Sequence, residues 1–416
     1  MQHHSSDWEP RYARRAARMS GSEIRELLKL LEQPDVISFA GGIPDPALFP
    51  EAEARAAGAE IMADPKRARS ALQYAVSEGD PGLRSWIAAH MTGLGVPCDS
   101  DNILVTSGSQ QALDFLGRML LTPGDTTLVR WPTYLGALQA FNAYEPRYDR
   151  LDPEGANIDA AGYAAAARDG DPTRAVKFAY TVPDFANPTG ATMTLGAREK
   201  TLGLADALDI AVIEDAAYTA LRYEGEPVPS IMAIDVARSG DVNASRVIYC
   251  GTFSKTLSPG LRVGWICASK ALISRLVLVK QASDLNSPPL NQMIIHRLAE
   301  TVFDAKVEEA RGEYRRRRDL MLAALERHMP AGVSWTKPEG GLFIWVSFPD
   351  NVDTKALLER SVAEAKVAFV PGRAFHADGS GGNTARFSFS LASAAQIDTG
   401  IKALAQLISQ GAQPIS

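Results

Sequence analysis

The chain has 416 residues, of which 46% are hydrophobic and 22% charged. That is an ordinary globular composition, with apolar material enough for one large domain and a smaller second one. A formal net charge of −6 repels polyanions on average and sets nucleic acid aside as a partner. Three cysteines (Cys98, Cys250, Cys267) without C-x-x-C spacing and six scattered histidines offer neither a disulfide framework nor a metal-ligand pair, so no metal is expected and a reducing, cytoplasmic setting fits.

The first residues, MQHHSSDWEPRYARRAARMS, carry arginines but no apolar core of secretory length, and Asp7 and Glu9 count against a transit peptide. No apolar run reaches the roughly 18 residues that span a bilayer, so a soluble protein is expected. The stretch to about Leu31 predicts one or two helices, with Ser22 as N-cap before EIRELLKLL. A Gly/Pro-rich loop, SFAGGIPDPALFP, follows, centred on Gly41 and Gly42.

From about residue 100 to 268, short β-rich runs alternate with helical stretches. The strands are NILVTSG, TTLVRW, VKFAYTVP, IAVIEDA, RVIYCGTF and LRVGWICA, with amphipathic helices such as QQALDFLGRMLL and TLGAREKTLGLADALD among them. Near-continuous apolar strands separated by helices predict a mostly parallel sheet covered on both faces. A helical region spans about 270–329. Within it the run Arg315 to Arg318, between Glu313 and Asp319, is expected to form a solvated basic face. The tail mixes strands (LFIWVSF, VAFVPG, ARFSFS) with helices, as a small α+β domain does. The expected fold class is α/β, divided into an N-terminal arm at 1–50 that joins the small domain, a large domain at 51–300 and a small domain at 301–416.

In an open α/β sheet, ligands gather at the carboxyl ends of the strands. After NILVTSG, Ser107-Gly108-Ser109-Gln110 opens a helix, where N–H groups and hydroxyls suit a phosphate; plain capping is the alternative. After TTLVRW comes Tyr134, an aromatic ring for a flat cofactor or for simple packing. Asn187-Pro188-Thr189-Gly190 marks a turn in which Asn187 can also donate to a phenolate oxygen. IAVIE ends in Asp215, with Tyr218 three residues on. Asp215 is either a helix cap or the partner that keeps a pyridine nitrogen protonated. RVIYCG ends in Thr252-Phe253-Ser254-Lys255, and Arg262 follows seven residues later. A lysine there suits a Schiff-base amine, and the hydroxyls with Arg262 and Ser109 suit a phosphate cup. Five successive strand ends each carry a group that one cofactor, pyridoxal 5'-phosphate (PLP), needs.

NPTG, the Asp215-to-Tyr218 spacing, TFSK and LSPGLRVGW resemble the class I/II aminotransferases of PLP fold type I, from about Ser20 to near residue 407. SGSEIRELLKL, SFAGGIPDPALFP, LQYAVSEGDPGLR, TSGSQQALD and GTFSKTLSPGLRVGW are similar to the 2-aminoadipate/kynurenine-type subgroup. The resemblance implies a homodimer that transfers the amino group of an acidic, aromatic or apolar L-amino acid to a 2-oxo acid such as 2-oxoglutarate. It implies Lys255 as Schiff-base lysine and proton shuttle, Asp215 on the ring nitrogen, Asn187 and Tyr218 on the ring oxygen, and Tyr134 stacked on the ring. Ser109, Gln110, Thr252, Ser254 and Arg262 would hold the phosphate, joined by Tyr74 from a neighbouring subunit. Arg386 would clamp the substrate α-carboxylate beside Gly42, and Arg25 would reach a distal carboxylate. Departures are small: Thr252 stands where relatives often have Ser, and Phe387 where Leu is usual. The alternatives are another PLP reaction, C–S lysis or decarboxylation, and a non-catalytic regulator of PLP fold. About 35 residues before the SFAGG loop leave little room for the DNA-binding module that such a regulator carries.

Overall fold

Alternation along the apolar runs decides the architecture. In a strand, successive side chains leave opposite faces. Val212 and Ile213, Tyr249 and Cys250, and Trp265 and Ile266 are therefore sent into two different hydrophobic cores. Both faces must be covered, and each large apolar side chain so buried contributes roughly 1.5–3 kcal/mol.

The computed structural model describes residues 8–19, 35–155 and 157–411. Its strands begin with β1 (Ile37–Ser38), β2 (Ile103–Thr106), β3 (Thr126–Val129), β4 (Arg147–Arg150), β5 (Val176–Thr181) and β6 (Ala211–Asp215). They continue with β7 (Val247–Thr252), β8 (Gly264–Cys267), β9 (Ser334–Trp335), β10 (Phe343–Ser347), β11 (Val367–Ala368), β12 (Val370–Pro371) and β13 (Thr384–Ser388). A seven-stranded sheet takes the order β2-β8-β7-β6-β5-β3-β4. β8 is antiparallel to both neighbours, and the remaining pairs are parallel. The mostly parallel sheet expected from the sequence is present. β4, an edge strand of exposed or half-buried polar residues, was missed because it carries no apolar run.

Helices pack on both sides of this sheet. The helix Ser109–Leu120 buries Ala112, Leu113, Phe115 and Leu116 at helical spacing. The helix Leu195–Leu208 is started by Thr194, whose hydroxyl accepts the Ala197 N–H. A second sheet, β12-β13-β10-β9, is antiparallel. It shares one core with a face of the first, since Phe343, Ile344 and Phe387 join the cluster that holds Ile213 and Ile266. β1 pairs in parallel with β11, and Phe39 stacks on Phe387 at 5.9 Å between ring centres.

One expectation is corrected. Only Arg315 and Arg316 of the basic run face solvent, whereas Arg317 and Arg318 are buried. In the helix Phe303–His328, four consecutive residues cover more than one turn and cannot share one face. Arg317 pairs with Asp45 and Glu313 and donates to the Ser390 carbonyl, while Arg318 pairs with Glu224 and Asp319 and donates to the Pro338 carbonyl. These contacts repay the desolvation of two guanidinium groups. Cys98 and Cys267 keep free thiols, and Cys98 Sγ donates to the Ala88 carbonyl at 3.7 Å. The antiparallel pairing of β2 with β8 places Cys267 opposite Ile103, just beyond Cys98.

Candidate active site

Parallel strands that stop together leave their final residues on one rim of the sheet. β6 ends in Asp215, which is 2% exposed. Its Oδ2 accepts the Tyr180 hydroxyl at 2.9 Å, while its Oδ1 is buried with no hydrogen-bond partner. Burial pushes this carboxyl up to about 6, against the pull of Tyr180. A buried acceptor without a donor is costly, and a protonated ring nitrogen relieves it. Tyr180, near the end of the adjacent β5, was missed by sequence reasoning because a buried aromatic in a strand looks like core.

β7 delivers Thr252 and Ser254, whose hydroxyls bond at 2.9 Å, and then Lys255. Lys255 Nζ donates to the Gly42 carbonyl at 3.2 Å and lies 5.7 Å from the centre of the Tyr218 ring. Desolvation first, then the cations Arg386 and Arg262, lower the amine to about 8. Burial raises the Tyr218 phenol and pushes the Tyr134 phenol up to about 12.

β2 is followed by the turn Ser107-Gly108-Ser109 and the helix that Ser109 begins. Gly108 adopts φ +77°, and a Cβ there would stand 2.5 Å from Arg262 Nη2. Arg262 Nη2 donates to the Ser107 carbonyl at 3.2 Å, so a guanidinium lies over the helix N-terminus. That combination favours an anion. Gln110 Nε2 donates to the Gly136 carbonyl at 2.7 Å, and its Oε1 faces the Tyr134 hydroxyl at 3.5 Å.

Arg386 comes from the second sheet, opposite Trp345 on β10 and Val370 on β12. It is 2% exposed, and burial lowers it to about 10. Nη1 donates to Asn187 Oδ1 at 2.8 Å and Nη2 to the Ala40 carbonyl at 2.7 Å, while Nε is buried without a partner. The Phe343 ring lies 4.4 Å from the guanidinium carbon. A Cβ on Gly42 would fall 2.6 Å from that ring, so only glycine lets the Ala40–Gly42 backbone approach Arg386. Lys255 thus meets Gly42 and Tyr218 and feels the charges of Asp215, Arg386 and Arg262, Arg386 meets Asn187, and Arg262 reaches the turn that precedes Ser109. Tyr74 does not join them: its side chain stands 78% exposed. Arg25 lies outside the described residues.

A lysine of lowered proton affinity, a buried carboxylate with one oxygen lacking a donor, and an anion-binding helix start, on the rim of a mostly parallel sheet, define a PLP enzyme of fold type I. The chain belongs to the aminotransferases of class I and II, whose family model matches residues 34–404. It is 43% identical over 408 residues to "Aromatic-amino-acid aminotransferase 1" of Thermococcus litoralis, covering 97% of this chain and 95% of that one. Among solved structures, a kynurenine aminotransferase of Pyrococcus horikoshii, in complex with PMP, matches with a TM-score of 0.89 and 42% identity over 98% of this chain and 99% of its own. An α-aminoadipate aminotransferase of Thermus thermophilus, complexed with N-(5'-phosphopyridoxyl)-L-leucine, matches with a TM-score of 0.86 and 36% identity over 97% and 98%. The protein is an aminotransferase with PLP as cofactor. Among the described residues, no helix is long and apolar enough to cross a membrane.

Proposed function

We propose that the protein moves the amino group of an L-amino acid to 2-oxoglutarate in two half-reactions at one site. The first product, a 2-oxo acid, leaves before the second 2-oxo acid enters. The observation that carries this reading is a buried Lys255, held at the Gly42 carbonyl and near enough to the Asp215 carboxylate and the Arg386 guanidinium to feel both charges. When bound, PLP supplies an aldehyde that condenses with amines and a ring that accepts the electron pair released at the substrate α-carbon. Asp215 Oδ1 would hold the ring nitrogen protonated, and Asn187 Nδ2 with the Tyr218 hydroxyl would donate to the ring oxygen. Ser109, Gln110, Thr252, Ser254 and Arg262 would hold the phosphate beneath a ring stacked on Tyr134. Lys255 Nζ would take up and return the proton at the substrate α-carbon, a task matched by an amine near 8. Arg386 would fix the α-carboxylate, its free Nε–H adding to the η nitrogens.

The relatives whose names mention aromatic amino acids, kynurenine and α-aminoadipate support a donor range that includes both aromatic and acidic side chains. Arg25 would serve the acidic ones. Arg25→Ala is expected to lower kcat/KM for glutamate and 2-aminoadipate by roughly 1.5–3 kcal/mol, the scale of a charged hydrogen bond. Apolar donors should be spared, and equal losses in both classes would make Arg25 structural. A panel of amino donors against 2-oxoglutarate and pyruvate, read by formation of glutamate or alanine, tests the function as a whole.

A cytoplasmic homodimer with an arm at 1–50, a large domain at 51–300 and a small one at 301–416 completes this reading. The β1–β11 pairing supports joining the arm to the small domain. The exposed Tyr74, beside exposed Leu72 and Val76, supports a contact with a second subunit. Tyr74→Phe is expected to weaken PLP binding by roughly tenfold, one charged hydrogen bond, with an unchanged melting temperature. Unaltered PLP affinity, or a monomeric wild type, would remove Tyr74 from the site.

A further inference from the structure

Lys280 is 0% exposed and lies in the helix Lys270–Gln281, outside the strand ends that form the site. A buried ammonium is tolerated only when its N–H groups find acceptors. Lys280 Nζ donates to Asp284 Oδ1 at 3.0 Å and Oδ2 at 3.1 Å, to Ser287 Oγ at 3.0 Å and to Gln111 Oε1 at 3.1 Å. Asp284 and Ser287 lie within seven residues of Lys280 along the chain and serve local structure. Gln111 does not: it sits 169 residues away in the first turn of the helix Ser109–Leu120.

Gln111 Oε1 also accepts the backbone N–H of Ser107 at 2.9 Å, and Gln111 Nε2 donates to Asp284 Oδ2 at 2.8 Å. The amide is therefore pinned in orientation, with its oxygen toward the turn. On the other side of that turn, the Ser107 carbonyl accepts from Arg262. The Ser107 residue is gripped through its N–H and its C=O, and the turn has little slack. A Cβ on Gly264 would stand 2.8 Å from the Ser109 nitrogen, so the adjacent strand presses on it as well.

We propose that Lys280 is a positioning residue for the cofactor phosphate, acting through Gln111 to fix the Ser107-Gly108-Ser109 turn. The proposal rests on the reading of Ser109 and Arg262 as phosphate ligands. A relay of this kind changes how well the turn is preset for an anion, and leaves the ring-binding groups Asp215, Asn187 and Tyr218 untouched.

The experiment compares dissociation constants for PLP and for pyridoxal, which lacks the phosphate, by absorbance titration of cofactor-free protein. Lys280→Met and Gln111→Met are both expected to weaken PLP by roughly tenfold, with pyridoxal affinity within about twofold of wild type. Because Lys280→Met strands Asp284 and can fail to fold, Gln111→Met, which keeps the Lys280–Asp284 pair, carries the test alone in that event. Wild-type PLP affinity in folded Gln111→Met overturns the proposal, as do equal losses for PLP and pyridoxal. Arg262→Met and Ser109→Ala test the underlying reading separately. If neither weakens PLP, the phosphate site lies elsewhere and the relay falls with it.

Discussion

Lys255→Ala is expected to abolish amino-group transfer while the fold survives. Lys255 is bonded to the Gly42 carbonyl by one 3.2 Å contact, and burial with the cations Arg386 and Arg262 outweighs Asp215 in lowering its proton affinity. Few structural bonds are lost with it, so the variant should melt near the wild-type temperature. On the proposed mechanism the chemistry would lose both the amine that holds the cofactor and the base that handles the α-proton. General acid–base catalysis alone contributes roughly 10²–10⁴-fold, and kcat should fall by at least that factor. Methylamine added to the variant should recover part of the rate by supplying a free base in the vacated volume. Borohydride reduction of wild-type holoenzyme should fix the cofactor to the peptide containing Lys255. Label on any other lysine would dismantle the site as assigned.

Asp215→Asn separates cofactor retention from turnover. The amide still fits between Tyr180 and the space beside Lys255, so PLP should remain bound. On the proposed reading it would no longer hold the ring nitrogen protonated, and kcat should drop by roughly 10²-fold or more, the scale of a lost charged interaction at a reacting group. An unchanged kcat would leave Asp215 as a strand-end cap. A second consequence concerns cofactor-free protein. The folded carboxyl titrates near 6 against 3.8 in model compounds, so the folded chain binds the proton more tightly than the unfolded one. Stability from this group is complete below about pH 4 and is lost as pH rises through about 6, by up to roughly 3 kcal/mol. Asparagine escapes that loss. Cofactor-free Asp215→Asn should therefore melt above the wild type at pH 7, with the gap closing toward pH 4. A gap independent of pH would show that Asp215 is not the group responsible.

The strand ends were legible because each apolar run stops abruptly at a residue that has no business in a core: Asp215 after AVIE, Lys255 after the β7 run, Ser109 at a helix start. Near-continuous apolar runs separated by helices carried the sheet, and both cores follow because successive side chains of such a run leave opposite faces. Other features left no local trace. Arg386 sits in a short strand of the tail, and only the resemblance marked it. Its aromatic neighbour Phe343 and its Ala40 acceptor come from distant parts of the chain. Arg317 and Arg318 looked like surface because their partners Asp45, Ser390, Glu224 and Pro338 are brought to them only by tertiary folding. Tyr180 and Lys280 were hidden by the opposite error: a buried aromatic passes for core, and a lysine in a helix passes for surface.

The pairing of β1 with β11 has a bearing on how the chain is made. Ile37 leaves a ribosome about 330 residues before its strand partner Val367. Until then Phe39 has no Phe387 to stack on, and the loop that carries Gly42 and the Ala40 carbonyl has no Arg386 to close against. The parallel strands and their helices can collapse as they emerge, since their contacts are close in sequence. The pocket cannot: closing a loop of that length is slow, and the apolar leading segment waits exposed meanwhile. The contact between Arg386 and the Gly42 loop thus forms late, and a nascent chain truncated before residue 367 should carry much of the sheet but not that contact.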